Sequence, residues 1–123
     1  MLTHVKSVCI YSTDVDRTIA FYTGVLGMEK RSDATMGPIR WVELAPAGAE
    51  TVIAVASEGY PVFAPEKVGG FSGLTLAAKD AEETYARFKA AGVRFLREPE
   101  TTAWGTQAII EDPDGNQIVV VAG

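Results

Sequence analysis

Asp14-Val-Asp-Arg-Thr18-Ile-Ala20-Phe-Tyr22 recurs 66 residues later as Asp80-Ala-Glu-Glu-Thr84-Tyr-Ala86-Arg-Phe88. Each copy follows a short apolar stretch, Val8 and Ile10 before the first and Leu74 and Leu76 before the second, and runs on to a stop at Gly27 or Gly92. Only two copies at that spacing fit in 123 residues. Solenoid units are shorter and stack in longer series, so the pattern reads as two similar half-domains that share one core and face each other. The cleft between such halves is a natural ligand site.

Outward from the first copy, residues 5–12 predict a strand, with Val8 and Ile10 on one face and Ser7, Cys9 and Tyr11 on the other. Thr13 or Asp14 can cap the helix that follows, because a short side-chain oxygen satisfies the open N–H groups of a first turn. Ile19, Tyr22, Val25 and Leu26 supply its apolar stripe, and Gly27 ends it. Strands are expected near 28–34, 39–45 and 51–56, separated by Met-Gly-Pro at 36–38 and Pro-Ala-Gly-Ala at 46–49, both turn sequences. Residues 57–71 hold two prolines and three glycines and read as a connector, with Tyr60, Phe63 and Phe71 as apolar anchors. The second half repeats the order. A strand at 72–78 leads to a helix at 80–91, where Asp80 and Glu83 have capping-box spacing. Strands follow near 93–98, 106–111 and 117–122, and the turn Asp112-Pro-Asp-Gly115 joins the last two. The element order is βαβββ, twice, over 1–56 and 72–123.

Length fits one domain able to bury its own core. A net charge of −5 and a pI near 4.8 argue against a broad phosphate-binding surface, so no nucleic-acid partner is expected. Cys9 is the only cysteine, which excludes an internal disulfide and a cysteine-based zinc site. No apolar run approaches the roughly 20 residues that cross a bilayer, and Met-Leu-Thr-His-Val-Lys at the start lacks the regions of a secretory signal. A cytoplasmic protein without a membrane partner is the expectation.

The pattern Asp14-x-x-Arg17-x-Ile-x-Phe-Tyr22-x-x-x-Leu-Gly27, with Asp112-Pro-Asp-Gly-Asn116 ahead of a last apolar strand, resembles the vicinal oxygen chelate superfamily. That superfamily includes glyoxalase I, extradiol dioxygenases, and fosfomycin and bleomycin resistance proteins. The resemblance spans essentially the whole chain. It implies an α+β fold in which two βαβββ modules of a single domain curve into a cup, with helices outside and ligand inside. Members are commonly dimers. Arg17, Phe21, Tyr22, Leu26 and Gly27 are read as packing and helix-stop residues without a functional role.

Enzymes of the family hold a divalent metal in the cup with His, Glu or Gln from four strands. Carried over position by position, those ligands fall on Ser7, Ala54, Gly73 and Val119. None of these side chains suits such an ion, which takes imidazole or carboxylate ligands. No cofactor is therefore expected, and the resemblance points to the metal-free branch that sequesters drugs such as bleomycin and mitomycin. His4, Glu43, Glu58 and Glu111 are the substitutes that a metal-dependent lyase, isomerase or dioxygenase would have to recruit.

A cup floor of small side chains leaves room for a planar or amphipathic organic molecule held between aromatic walls. Trp104, in Ala-Trp-Gly-Thr-Gln, and Trp41 are the candidate walls, or else fill core or interface. Tyr11 shares the cup face with Ser7 and Cys9, and its hydroxyl is placed to orient a ligand. Gln107 offers a hydrogen bond. Glu43, on the strand face of Trp41, is a polar contact and a conceivable general base if buried. Cys9 has no histidine to activate it and reads as a small lining side chain. The apolar end Ile118-Val-Val-Val-Ala-Gly123 carries no charge to guard an exposed edge, so burial in the core or in a homodimer is expected.

Overall fold

The computed structural model describes residues 1–123, which divide into two compact units, Met1–Val68 and Gly69–Gly123. The first holds β1 (Ser7–Tyr11), α1 (Val15–Ala20), β2 (Glu29–Met36), β3 (Ile39–Ala45) and β4 (Val52–Ala56), followed by a 3₁₀ turn at Pro65–Lys67. The second holds β5 (Gly70–Ala78), α2 (Ala81–Ala90), β6 (Arg94–Thr102), β7 (Gly105–Glu111) and β8 (Asn116–Ala122). Each is a βαβββ module with a mixed four-stranded sheet, ordered β1-β4-β3-β2 and β5-β8-β7-β6. In both, the first strand pairs parallel to the last and the remaining pairs are antiparallel. The fold is α+β.

Local chemistry sets the helices. Asp14 Oδ1 accepts from Arg17 N at 3.1 Å, and Asp80 Oδ1 accepts from Glu83 N at 2.9 Å. Each carboxylate satisfies a donor that the first turn leaves open. After Ala20 the first helix widens into a π-turn over Phe21–Val25. There Thr23 Oγ1 donates to Ile19 O at 2.6 Å, and Leu26 N reaches Phe21 O at 3.1 Å. A side chain inserted into the hydrogen-bond ladder is a recognised cause of such widening. Gly27, at φ 76°, then turns the chain.

The apolar stripe expected along this helix is only partly buried. Tyr22 is enclosed, but Ile19, Val25 and Leu26 are half-exposed. Thr18 is the second enclosed side chain, and its Oγ1 lies 2.6 Å from Ser12 Oγ inside the core. Strand alternation places Ser12 with Ile10, so this bond fixes the helix over the Ile10 side of the sheet. The buried side chains Ile10, Val42, Leu44, Ile53 and Val55 form the core there.

In the second unit the core holds Ala108, Ile110, Ile118 and Val120 with Tyr85 and Phe88 of α2. The Tyr85 hydroxyl sits between Thr106 O at 2.6 Å and Val120 O at 2.9 Å, and burial pushes its phenol pKa up. The Asp112 carboxylate accepts from Asp114 N, Asn116 N and Asn116 Nδ2 at 2.8–3.0 Å, which locks the turn into β8.

Two expectations change. Phe71 belongs to β5 and is 76% exposed, so it anchors nothing in the connector. β6 runs to Thr102, because pairing with β7 continues to Thr102↔Gly105 past two register shifts. The expected cover for the uncharged end of β8 is found within its own sheet: β8 lies between β5 and β7, with Ile118, Val120 and Ala122 buried. No helix is long and apolar enough to cross a membrane.

Candidate functional site

Residues opposite one another on paired strands point to the same side of a sheet. The register of the first unit therefore assembles a row of Cys9, Ala54, Glu43 and Ser32. Beside it lie the pairs Tyr11–Ala56 and Trp41–Ala34, and Ser7 faces Val52 at the start of β1. All of these lie on the face away from α1. Five of the seven side chains picked from the sequence, Ser7, Cys9, Tyr11, Trp41 and Glu43, thus share one surface.

The surface has an aromatic wall and a low floor. The rings of Trp41 and Tyr60 are 5.5 Å apart, tilted by 39°. Such a pair contributes about 0.5–1.5 kcal/mol beyond its buried area and holds both rings in place. Lys67 Nζ stands 5.5 Å from the centre of the Tyr11 ring. Ala54 and Ala56 lie low between taller side chains, each almost wholly covered. Glu43 is half-buried beside them, and no ion pair or side-chain hydrogen bond engages it. An apolar platform flanked by indole, phenol and carboxylate suits a flat molecule with a polar or positive edge. The thiol of Cys9 is exposed, and the only histidine is bonded to Thr3, at 3.0 Å in the segment before β1. Tyr60 is expected from the sequence as an apolar anchor of the connector, and it rests on Trp41. Lys67 was not readable as a member of this surface, because it arrives from the connector and no local pattern ties it to β1.

Trp104 and Gln107 belong to the second unit. Gln107 stands between Glu100 and Val121 and lines a hollow of about 180 Å³ with Arg97, Glu98, Thr102, Ala108 and Ile109. Trp104 sits in the turn between β6 and β7 with 80% of its surface exposed. Its backbone N donates to Thr102 Oγ1 at 3.1 Å, and Thr102 Oγ1 donates to Gly105 O at 2.8 Å, so a firm turn presents the indole outward.

The four positions that carry metal ligands in the family's enzymes hold a hydroxyl (Ser7), a methyl (Ala54), a glycine at φ 76° (Gly73) and an isopropyl group (Val119). Of the substitutes, Glu111 lies 4.0 Å from Arg94 and Glu58 belongs to the connector. No three His, Cys, Asp or Glu side chains converge as a metal would require. The donor chemistry on these positions does not fit a divalent ion.

Residues 2–120 match the family described as the Glyoxalase/Bleomycin resistance protein/Dioxygenase superfamily. The chain belongs to that superfamily. Among superfamily structures, a member from Sphaerobacter thermophilus superimposes with a TM-score of 0.85 at 32% identity, covering 99% of this chain and 98% of the other. TnmS3, an antibiotic binding protein from Streptomyces sp. CB03234, superimposes with a TM-score of 0.84 at 30% identity, covering 98% and 96%. In sequence, the uncharacterized protein YetH of Bacillus subtilis is 31% identical over 117 residues, 94% of this chain and 95% of its own.

Proposed function

We propose that this superfamily member binds a planar or amphipathic organic molecule in one-to-one fashion, without a metal, as a sequestering rather than a catalytic protein. The observation that carries the reading is the face built from Trp41, Tyr60, Tyr11 and Glu43 over Ala54 and Ala56, where the enzymes of the family need ligands that this chain lacks. Likeness to an antibiotic binding protein over nearly the whole chain supports a drug-like ligand and a role in resistance. The working form is a homodimer in the cytoplasm.

Tryptophan fluorescence and thermal shift during titration with glycopeptide, quinone and phenazine compounds test the reading. Saturable quenching by at least one class is the expected result. Trp41→Ala removes the aromatic wall and weakens that binding about tenfold, in line with the loss of 1–2 kcal/mol of stacking and burial. A flat response across the panel, or one metal per chain whose chelation abolishes a measurable activity, overturns the proposal.

A further inference from the structure

A separate cavity of about 410 Å³ opens in the first unit, lined by Ser12, Thr13, Glu58, Phe63 and Pro65. It is not part of the Trp41 face. Ser12 alternates away from Tyr11 and packs on the α1 side, and neither Trp41 nor Tyr60 lines the cavity. The volume lies in the range of small-ligand pockets.

Its chemistry is one-sided. The Ser12 hydroxyl is committed to Thr18 and to Asp14 N, and Thr13 Oγ1 accepts from Arg17 Nη2 at 3.1 Å. Phe63 and Pro65 supply apolar wall. Glu58 is the one charged group of the lining, and no side-chain hydrogen bond or ion pair neutralises it. The cations around the lining are engaged by other groups: Lys67 of the connector donates to Val62 O at 3.3 Å and stands over Tyr11, and the Arg17 guanidinium donates to Thr13 Oγ1. A phenyl ring, a proline ring and an unpaired carboxylate around one space are what an organic cation with a compact apolar body needs. The ring quadrupole and the carboxylate attract its charge, and the apolar wall takes its body.

We infer that this cavity is a second binding site, distinct from the Trp41 face, for small alkylammonium compounds. Ligand here clamps the connector, through Glu58, Phe63 and Pro65, against the junction of β1 and α1.

The test is a titration of the full chain with benzyltrimethylammonium chloride at constant ionic strength, read by two-dimensional amide NMR. Potassium chloride and the neutral analogue benzyl alcohol serve as controls. Signals of Ser12, Thr13 and Phe63 should move saturably with the cation, more than with either control, while the indole N–H of Trp41 and Trp104 stay in place. Glu58→Gln, an isosteric change at an exposed position, should weaken the cation about two- to fivefold and leave benzyl alcohol unaffected. Phe63→Leu keeps an apolar side chain and should weaken it to a similar degree. Shifts confined to the indoles would place the cation elsewhere, on the Trp41 face where the Trp41 signal moves, and overturn the second site. So would an unchanged affinity in Glu58→Gln, or cation shifts no larger than those with salt. Failure of the antibiotic-class titration, by contrast, leaves this result untouched.

Discussion

At Gly105 the chain has no room for a side chain. A Cβ there would stand 2.9 Å from the carbonyl oxygen of Ala122, and the backbone lies at φ 127°, where L-residues are strained. Gly105→Ala should therefore lower stability by about 1–3 kcal/mol. Urea unfolding would read this as a lower midpoint with unchanged slope. Asp33 poses a different question. Arg40 grips both of its oxygens, through Nε at 3.0 Å and Nη2 at 2.9 Å, and Lys30 Nζ adds a third contact at 3.0 Å. The hydrogen bonds from Arg40 and then Lys30 hold the Asp33 carboxyl well below its ordinary value near 3.8. A depressed folded pKa contributes stability that is fully present above the unfolded value and lost as pH falls through the folded one. The gap between the native chain and Asp33→Asn should thus be constant from pH 7 to about 5 and should shrink below about pH 4. Because the cluster is at the surface, about 0.5–1 kcal/mol is the expected size, and added salt should reduce it. Thermal melts across that pH series supply the check.

Among elements, the two helices make a matched experiment. Asp14 and Asp80 stand at the same place in the repeat and cap with the same geometry, but α1 passes into a π-turn while α2 is regular over ten residues. Asp14→Ala and Asp80→Ala should each cost about 0.5–2 kcal/mol by denaturant unfolding. Elements whose boundaries rest on local chemistry were legible in the sequence: the caps, the glycine stops and the Asp-Pro-Asp-Gly turn all lie where their residues put them. The start of β5 at Gly70 and the extension of β6 to Thr102 were not, because distant partners set them. Strand parity alone groups Ser7 with Cys9 and Tyr11, and Trp41 with Glu43; that the two groups share one face rests on the register through Ala54. Exposure of Trp104 was not legible, since sequence shows that an indole sits beside a glycine but not which way the turn aims it. Thr18 was missed as a core residue because its hydroxyl is buried with Ser12, six positions away, as its partner.

For the whole molecule, assembly is the open property that a mass can decide. Phe71 on β5 and Leu96 on β6 are 76% and 51% exposed, and both strands are edges of their sheet. Large apolar side chains on strand edges favour pairing with another surface. Sedimentation equilibrium at low micromolar concentration should give twice the 13.1 kDa chain mass. A Phe71→Lys, Leu96→Lys double variant should shift the equilibrium toward the single chain. A native protein that sediments as one chain at that concentration would sink the dimer.

The pairing of first strand with last also sets an order of events. Ser7 reaches its partner Val52 only after 45 residues, and Thr75 reaches Val119 after 44. Hairpins β2–β3 and β6–β7 close short loops and can form early, whereas β1 and β5 must wait for a long loop to close at greater entropic cost. On the ribosome, β1 emerges first and stays unpaired until β4 clears the exit tunnel. The two modules carry nearly equal loops, so each closes under the same constraint.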